Sequence, residues 1–169
     1  TGYDINEKML KIARQKALNE KMDIKFNTGD VRTKKAGEFD AVITIHSAIG
    51  HLTKQDFKQA IANIHANLKP RGLYVFDIFN LNYLLRNDNI THLTMDVQTK
   101  FDDITAREIQ YSTINTGGIL ASYDIYHRQK GNDKPKISKA FQTLQVYNSQ
   151  QLKKMLAMYF TDLKITITD

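Results

Sequence analysis

The segment Phe39–Leu52, FDAVITIHSAIGHL, constrains the fold more than any other stretch of this chain. From Ala41 to Ile45 it is almost wholly apolar, as expected of a strand covered on both faces in a parallel sheet. Its neighbours in sequence agree. Tyr3 ends a first short strand, and Asn6 is an N-cap candidate for a helix from Glu7 to about Asn19. The apolar stripe of that helix includes Met9, Leu10, Ala13 and Ala17. A second strand at Ile24–Asn27 ends in Thr28-Gly29-Asp30. After the central strand, Thr53-Lys54-Gln55-Asp56 reads as a capping-box start, with Phe57, Ala60, Ile61, Ile64 and Leu68 as an inward stripe. LKPRG ends that helix in a Pro-Gly turn, and LYVFDIFN reads as a further buried strand. Strands alternating with helices to about Asn80 predict an α/β fold with a mostly parallel sheet and helices on both faces.

From about Thr94 the pattern becomes antiparallel. Met95–Phe101, Glu108–Thr113 and Leu120–Gln129 alternate as strands with one packed and one wet face, and Asn115–Gly118 (NTGG) forms a tight turn between two of them. Lys139–Tyr147 is a further strand candidate. Ser149 is placed as the cap of a last helix carrying Leu152, Met155, Leu156 and Tyr159, and Leu163, Ile165 and Ile167 alternate in a closing strand. Lys130–Lys139 is the polar loop where disorder is expected. The division is residues 1–93, a core; 94–147, an inserted antiparallel β meander; and 148–169, a helix and strand returning to the core.

A chain of 169 residues suits one domain with a real core. It has no cysteine, which excludes disulfides, thiolate metal sites and cysteine nucleophiles and sits easily with a reducing cytoplasm. No metal site and no membrane association are expected. The formal charge of +6 raises the question of nucleic acid, but most lysines are scattered, with one dense cluster at Lys130, Lys134, Lys136 and Lys139.

Asp4 and Asp30 are the acids that end successive strands at one sheet edge. Either alone is a plain turn residue as readily as a ligand contact. Together they are hard to dismiss. GYDIN, NTGDVR, FDAVITIHSAIGHL and LKPRGLYVFDIFN, in this order and spacing, resemble the class I S-adenosylmethionine-dependent methyltransferases, a Rossmann-like family. The resemblance implies that Asp4 holds the ribose hydroxyls and that Ile5 lies against adenine. It also implies that Asp30 reads the adenine amino group and that the Val31 N–H meets a ring nitrogen. Ile45, His46 and Ser47 then lie near the methionine half of the cofactor, with Gly50-His51 opening the next loop. No Asn/Asp-Pro-Pro-aromatic run follows the fourth strand, which argues against amino-methylation of adenine or glutamine. Without cysteine the covalent route to pyrimidine C5 is closed too.

The meander is similar to the antiparallel flap of small-molecule enzymes in that family, with the amino-sugar N-methyltransferases nearest. The resemblance implies S-adenosylmethionine as cofactor, S-adenosylhomocysteine as product, and a small-molecule acceptor with an amino or hydroxyl group. A tRNA-directed methyltransferase using Lys130–Lys139 as a phosphate-binding flap is the alternative enzyme, and a catalytically silent methyltransferase-like regulator the alternative of another class. His46 and then His51 are the candidate bases, with His127 on a flap strand; each also suits a pocket wall. Tyr83, Tyr111, Tyr123 and Tyr126 either line an acceptor pocket or fill the flap core. The family's glycine-rich loop, which follows its first strand and precedes the acidic strand, has no counterpart here. The family's first strand and its seventh, which pairs beside the fifth, are also expected to be missing, and its strand order, 3-2-1-4-5-7-6, then implies a sheet cut between strands 2 and 4 and a detached strand 6. The expectation is an incomplete view of a longer chain, in which upstream residues or strand donation within a homodimer fill the gap.

Overall fold

The computed structural model describes residues 1–85 and 92–166, and its order of elements follows local signals in the chain. Strand β1 (Gly2–Asp4) leads into helix α1 (Glu7–Asn19). Asn6 caps that helix, its side-chain oxygen accepting from the Lys8 and Met9 amides at 3.0 and 3.4 Å. Leu10 and Ala17 are the buried members of the stripe, whereas Met9 stays half exposed. Strand β2 (Phe26–Thr28) begins two residues later than the pattern suggests and runs parallel to β1, with Asp4 opposite Thr28.

Strand β3 (Phe39–Thr44) runs parallel to β4 (Leu68–Phe76). These pairs form two separate parallel sheets, with no ladder joining them among the described residues. The expectation that the central strand is covered on both faces is therefore corrected. Helix α2 (Lys54–Ala66) packs on one face, where Tyr74 and Phe76 join the main core, but α1 packs on β1 and β2 instead. Ile43, Leu73 and Val75 on the other face are 64%, 65% and 51% exposed. Within β4, Phe39 faces Leu68 while Ala41 faces Leu73, so Lys69–Gly72 make an excursion from the ladder, with Arg71 at φ +66°. Leu68 consequently belongs to the strand, and the inward stripe of α2 is Phe57, Ala60, Ile61 and Ile64. Phe57, Ala60 and Ile61 are fully buried and form the core with Ile49, Tyr147, Leu152 and Leu156.

The meander is a four-stranded antiparallel sheet, in order β5 (His92–Phe101), β6 (Ile104–Ile114), β7 (Ile119–Lys130) and β8 (Lys136–Gln145). Its base meets the short helix α3 (Leu81–Leu85) through Ile114, Val146 and Leu81. Two expectations change here. Residues 130–139 are no loose loop, because β7 runs to Lys130 and β8 begins at Lys136. Helix α4 (Ser149–Leu156) is capped by Asn148 rather than Ser149. The Asn148 side chain accepts from the Gln151 amide and the Gln151 side chain accepts from the Asn148 amide, both at 2.9 Å. Leu152 and Leu156 are buried, while Tyr159 lies beyond the helix and is 38% exposed. Leu163 and Ile165 pack against the main core, but residues 163–166 join no ladder, since no strand edge reaches them among the described residues. Ile167 lies outside the described residues.

The turn at Asn115–Gly118 closes the β6–β7 hairpin against the flap base. Gly118 has φ +82°, and its carbonyl accepts from the Val146 amide at 2.8 Å. A Cβ there would sit 2.5 Å from the Val146 carbonyl oxygen. Gly118→Ala is expected to destabilise the protein by about 1–3 kcal/mol, through left-handed strain plus contact with backbone that cannot yield. A thermal melt checks this, and an unchanged midpoint would show that the hairpin is not pinned at this point.

Candidate active site

The carboxyl ends of β1 and β2 bring the two acids together. The Gly29 amide donates to the Asp4 carbonyl at 3.0 Å, so the strand tips lie side by side. Asp4 Oδ1 accepts from the Asn6 amide at 2.7 Å, which fixes the carboxylate where the chain turns into α1. Its Oδ2 has no protein donor among the described residues. Ile5 follows with its apolar side chain 71% exposed at the same tip. Beyond β2, the Val31 carbonyl accepts from Asn63 Nδ2 at 2.9 Å, and the Val31 N–H meets no acceptor among the described residues.

Asp30 is more heavily engaged than its type and position suggest. Its Oδ1 accepts from the Arg32 amide at 2.9 Å and from Nε at 3.0 Å, and its Oδ2 from Nε at 3.0 Å and Nη2 at 2.6 Å. Three N–H groups of Arg32 thus meet the carboxylate, with the Nε hydrogen shared between its two oxygens, and most of its acceptor capacity is used. Arg32 also donates through Nη1 to Asp56 Oδ1 at 2.9 Å, tying the turn to the first turn of α2. Hydrogen bonds from Arg32 hold both Asp30 and Asp56 below the usual carboxylate range, and these two acids raise the guanidinium in turn. Asn67 completes the anchorage. Its Oδ1 accepts from the Ala36 amide at 2.6 Å, and its Nδ2 donates to the Lys34 and Asn63 carbonyls at 3.1 and 2.7 Å. Sequence reasoning missed Arg32, Asp56, Asn63 and Asn67. The available signal was two asparagines four apart on one face of an otherwise apolar helix end.

The end of β3 is strained. His46 and Ser47 have φ +58° and +52°, consecutive non-glycine residues in the left-handed region, a conformation that persists where surrounding structure over-determines it. The Asp77 carboxylate accepts from the Ser47 amide at 3.3 and 3.4 Å and holds the turn from β4. Gly50 is tightly seated: a Cβ would lie 3.3 Å from the Gln145 carbonyl at the end of β8. His46, His51, Asp77 and Tyr83 line a groove of about 1660 Å³ whose other wall includes Gln110, Ser112, Ser122 and Gln142 of the flap. Ile45 is 55% exposed at the strand end.

Not every candidate reaches that groove. Strand alternation and the register Tyr111–Tyr123–Phe141 put Tyr111 and Tyr123 on the outer face of the flap, together with His127. His127 therefore faces away from His46 and His51, because a neighbour of Tyr126 in sequence points to the opposite side of the sheet. Tyr126 is on the inner face, and Tyr83 lines the groove.

Residues 1–72 match the family model described as a methyltransferase domain. The fold as a whole is that of the S-adenosylmethionine-dependent methyltransferases. Streptomyces venezuelae DesVI superposes with a TM-score of 0.78 at 16% identity, over 94% of this chain and 64% of that one. The S-adenosylmethionine-bound CalS10 of Micromonospora echinaspora, an amino pentose methyltransferase, superposes with a TM-score of 0.73 at 18% identity, over the same shares. In sequence, the chain is 36% identical to YqeM of Bacillus subtilis (strain 168) over 81 residues, 46% of this chain and 32% of that protein. It is 31% identical to the ubiquinone biosynthesis O-methyltransferase of Coxiella burnetii over 85 residues, 49% of this chain and 35% of that one. The chain thus spans about a third of the length of these sequence relatives. Among the described residues no helix is long and apolar enough to cross a membrane.

The Arg32 clamp has a measurable sign. Because Asp30 and Asp56 are depressed in the fold, what they contribute to stability is present above the ordinary carboxylate range and is lost as pH falls through their lowered values. In Arg32→Gln both carboxyls are expected to titrate higher, toward the ordinary range, so the variant should be less stable at neutral pH and should lose less stability on acidification. Carbon-13 NMR titration of the side-chain carboxyls checks this; unmoved midpoints would remove the clamp.

Proposed function

We propose that the whole protein is a methyltransferase that transfers a methyl group from S-adenosylmethionine to an amino or hydroxyl group of a small molecule. The observation that carries this reading is the pair of adjoining strand tips. Among the described residues, one offers a carboxylate oxygen without a protein donor, at Asp4, and the other an N–H without an acceptor, at Val31. Both stand at the carboxyl ends of parallel strands, where ligands of open α/β sheets bind. The exposed Ile5 supplies an apolar surface of the kind an adenine ring would cover. These residues fit the adenosine half of the cofactor.

When bound, S-adenosylmethionine supplies a methyl group on a sulfonium. Asp4 would accept hydrogen bonds from the ribose hydroxyls, and the Val31 N–H would donate to a ring nitrogen. Asp30 would face the adenine amino group as a hydrogen-bond acceptor. Ile45 and His46 stand toward the methionine half. Aligning the acceptor and excluding water are the protein's main tasks, and the groove under the flap suits both. His46 takes the proton that a protonated acceptor must lose, with His51 second in line. The amino pentose acceptor of CalS10 supports a small molecule as the substrate class.

Calorimetry on the full-length protein tests the cofactor assignment. Asp4→Ala is expected to weaken S-adenosylmethionine binding by about 1.5–3 kcal/mol, the range for a hydrogen bond to a charged group. His46→Gln is expected to lower kcat by roughly 10²–10⁴-fold. Unchanged affinity in the first variant removes Asp4 from the site, and unchanged turnover in the second removes His46 as the base.

A further inference from the structure

Arg32 takes no part in methyl transfer, yet its guanidinium is committed on two sides. The Nε–Nη2 edge meets the Asp30 carboxylate at 2.6 to 3.0 Å, and Nη1 reaches Asp56 Oδ1 at 2.9 Å. Asp56 is held in turn by Thr53, whose hydroxyl donates to Oδ2 at 2.8 Å and accepts from the Asp56 amide at 3.1 Å. Thr53 caps α2 and Asp56 stands in its first turn, so side chains tie the tip of β2 to a helix whose other face is buried. The Arg32 and Asp56 side chains are 37% and 29% exposed, and ion pairs in contact with water contribute little to stability. What the fork fixes is direction. A guanidinium donates in one plane, and the carboxylate it grips cannot turn about its own bond.

The same turn orients a second group. The Asp30 carbonyl accepts from the Thr33 and Lys34 amides at 3.1 and 2.8 Å. Because the peptide is planar and trans, the Val31 N–H points the opposite way, out of the turn. Three Arg32 N–H groups meet the Asp30 carboxylate, and about one of its roughly four lone-pair sites remains. Hydrogen bonds from Arg32 also hold this carboxyl below the usual range, so it stays an acceptor. The tip of β2 therefore offers one acceptor beside one donor. A 6-aminopurine presents an amino N–H beside a bare ring nitrogen and matches both. A 6-oxopurine presents a carbonyl oxygen beside a ring N–H and mismatches both. The donor half depends on backbone alone, whereas the acceptor half depends on Arg32.

We propose that Arg32, braced by Asp56, is a positioning residue that sets the preference of this site for a 6-amino over a 6-oxo purine. Arg32 aims the remaining lone pair of Asp30 beside the Val31 N–H, and Asp56 holds the guanidinium from the far side. Both act through Asp30. The inference rests on the methyltransferase reading and adds to it the residues that enforce the choice of base.

Calorimetry on the full-length protein compares S-adenosylhomocysteine with its deaminated counterpart, S-inosylhomocysteine. The unaltered protein is expected to prefer the amino compound by about a hundredfold, roughly tenfold for each matched contact. Arg32→Lys keeps the charge and loses the fork. Its preference should fall to about tenfold, the share of Val31, chiefly through weaker binding of S-adenosylhomocysteine. A merely structural role would weaken both compounds by the same factor and leave the ratio unmoved. Asp56→Ala, checked by a thermal melt, leaves Asp30 and Arg32 in place. It should narrow the ratio as well, and it serves if Arg32→Lys fails to fold. Equal affinities in the unaltered protein, a ratio that either folded variant leaves untouched, or a ratio that widens would overturn the assignment. Binding of neither compound would instead overturn the methyltransferase reading beneath it.

Discussion

The polar face of helix α2 is the constraint on which the cofactor end depends. Residues 30–37 leave strand β2 with no ladder to join, and their backbone groups need partners. Asn67 and Asn63 supply them from the last turn of α2, and Asp56 holds Arg32 from its first turn. Asn67 is buried and uses both ends of its amide, so it stabilises one loop conformation rather than a family of them. The opposite face of the same helix carries Phe57 and Ile61 into the core. One element thereby couples the hydrophobic interior to the two strand tips, and the site inherits its rigidity.

A different balance operates at the end of β3. Two adjacent non-glycine residues in the left-handed region are unfavourable on their own. The Asp77 carboxylate beneath the Ser47 amide and the tight seating of Gly50 against β8 offset that cost. The strain turns the chain sharply under the flap, so that His46 and His51 line the groove instead of continuing the strand. Flap and core meet through small clusters around Leu81, Ile114 and Val146, which keep the polar inner face of the meander over those histidines.

Much of this was legible in the chain. The caps at Asn6 and Thr53, the NTGG hairpin, the antiparallel alternation and the acids ending β1 and β2 depend on neighbours within a few residues, and each fell close to its expected place. The errors share a cause. Leu68, the cap of α4, the covering of Ile43 and the facing of His127 all depended on which element lies alongside, and periodicity alone does not report that. The Arg32 clamp escaped notice because an ion pair across two elements leaves no spacing signal.

By itself the sequence determined the kinds of element, their order and the acids at the strand tips, because short-range hydrogen bonding and apolar periodicity are properties of contiguous residues. Only the tertiary structure decided that Arg32 joins Asp30 to Asp56, that Asp124 is buried with one oxygen unpartnered, and which flap side chains face the histidines. Those are facts of solvent exclusion and register, set by residues tens of positions apart, and they exist only once the layers have packed.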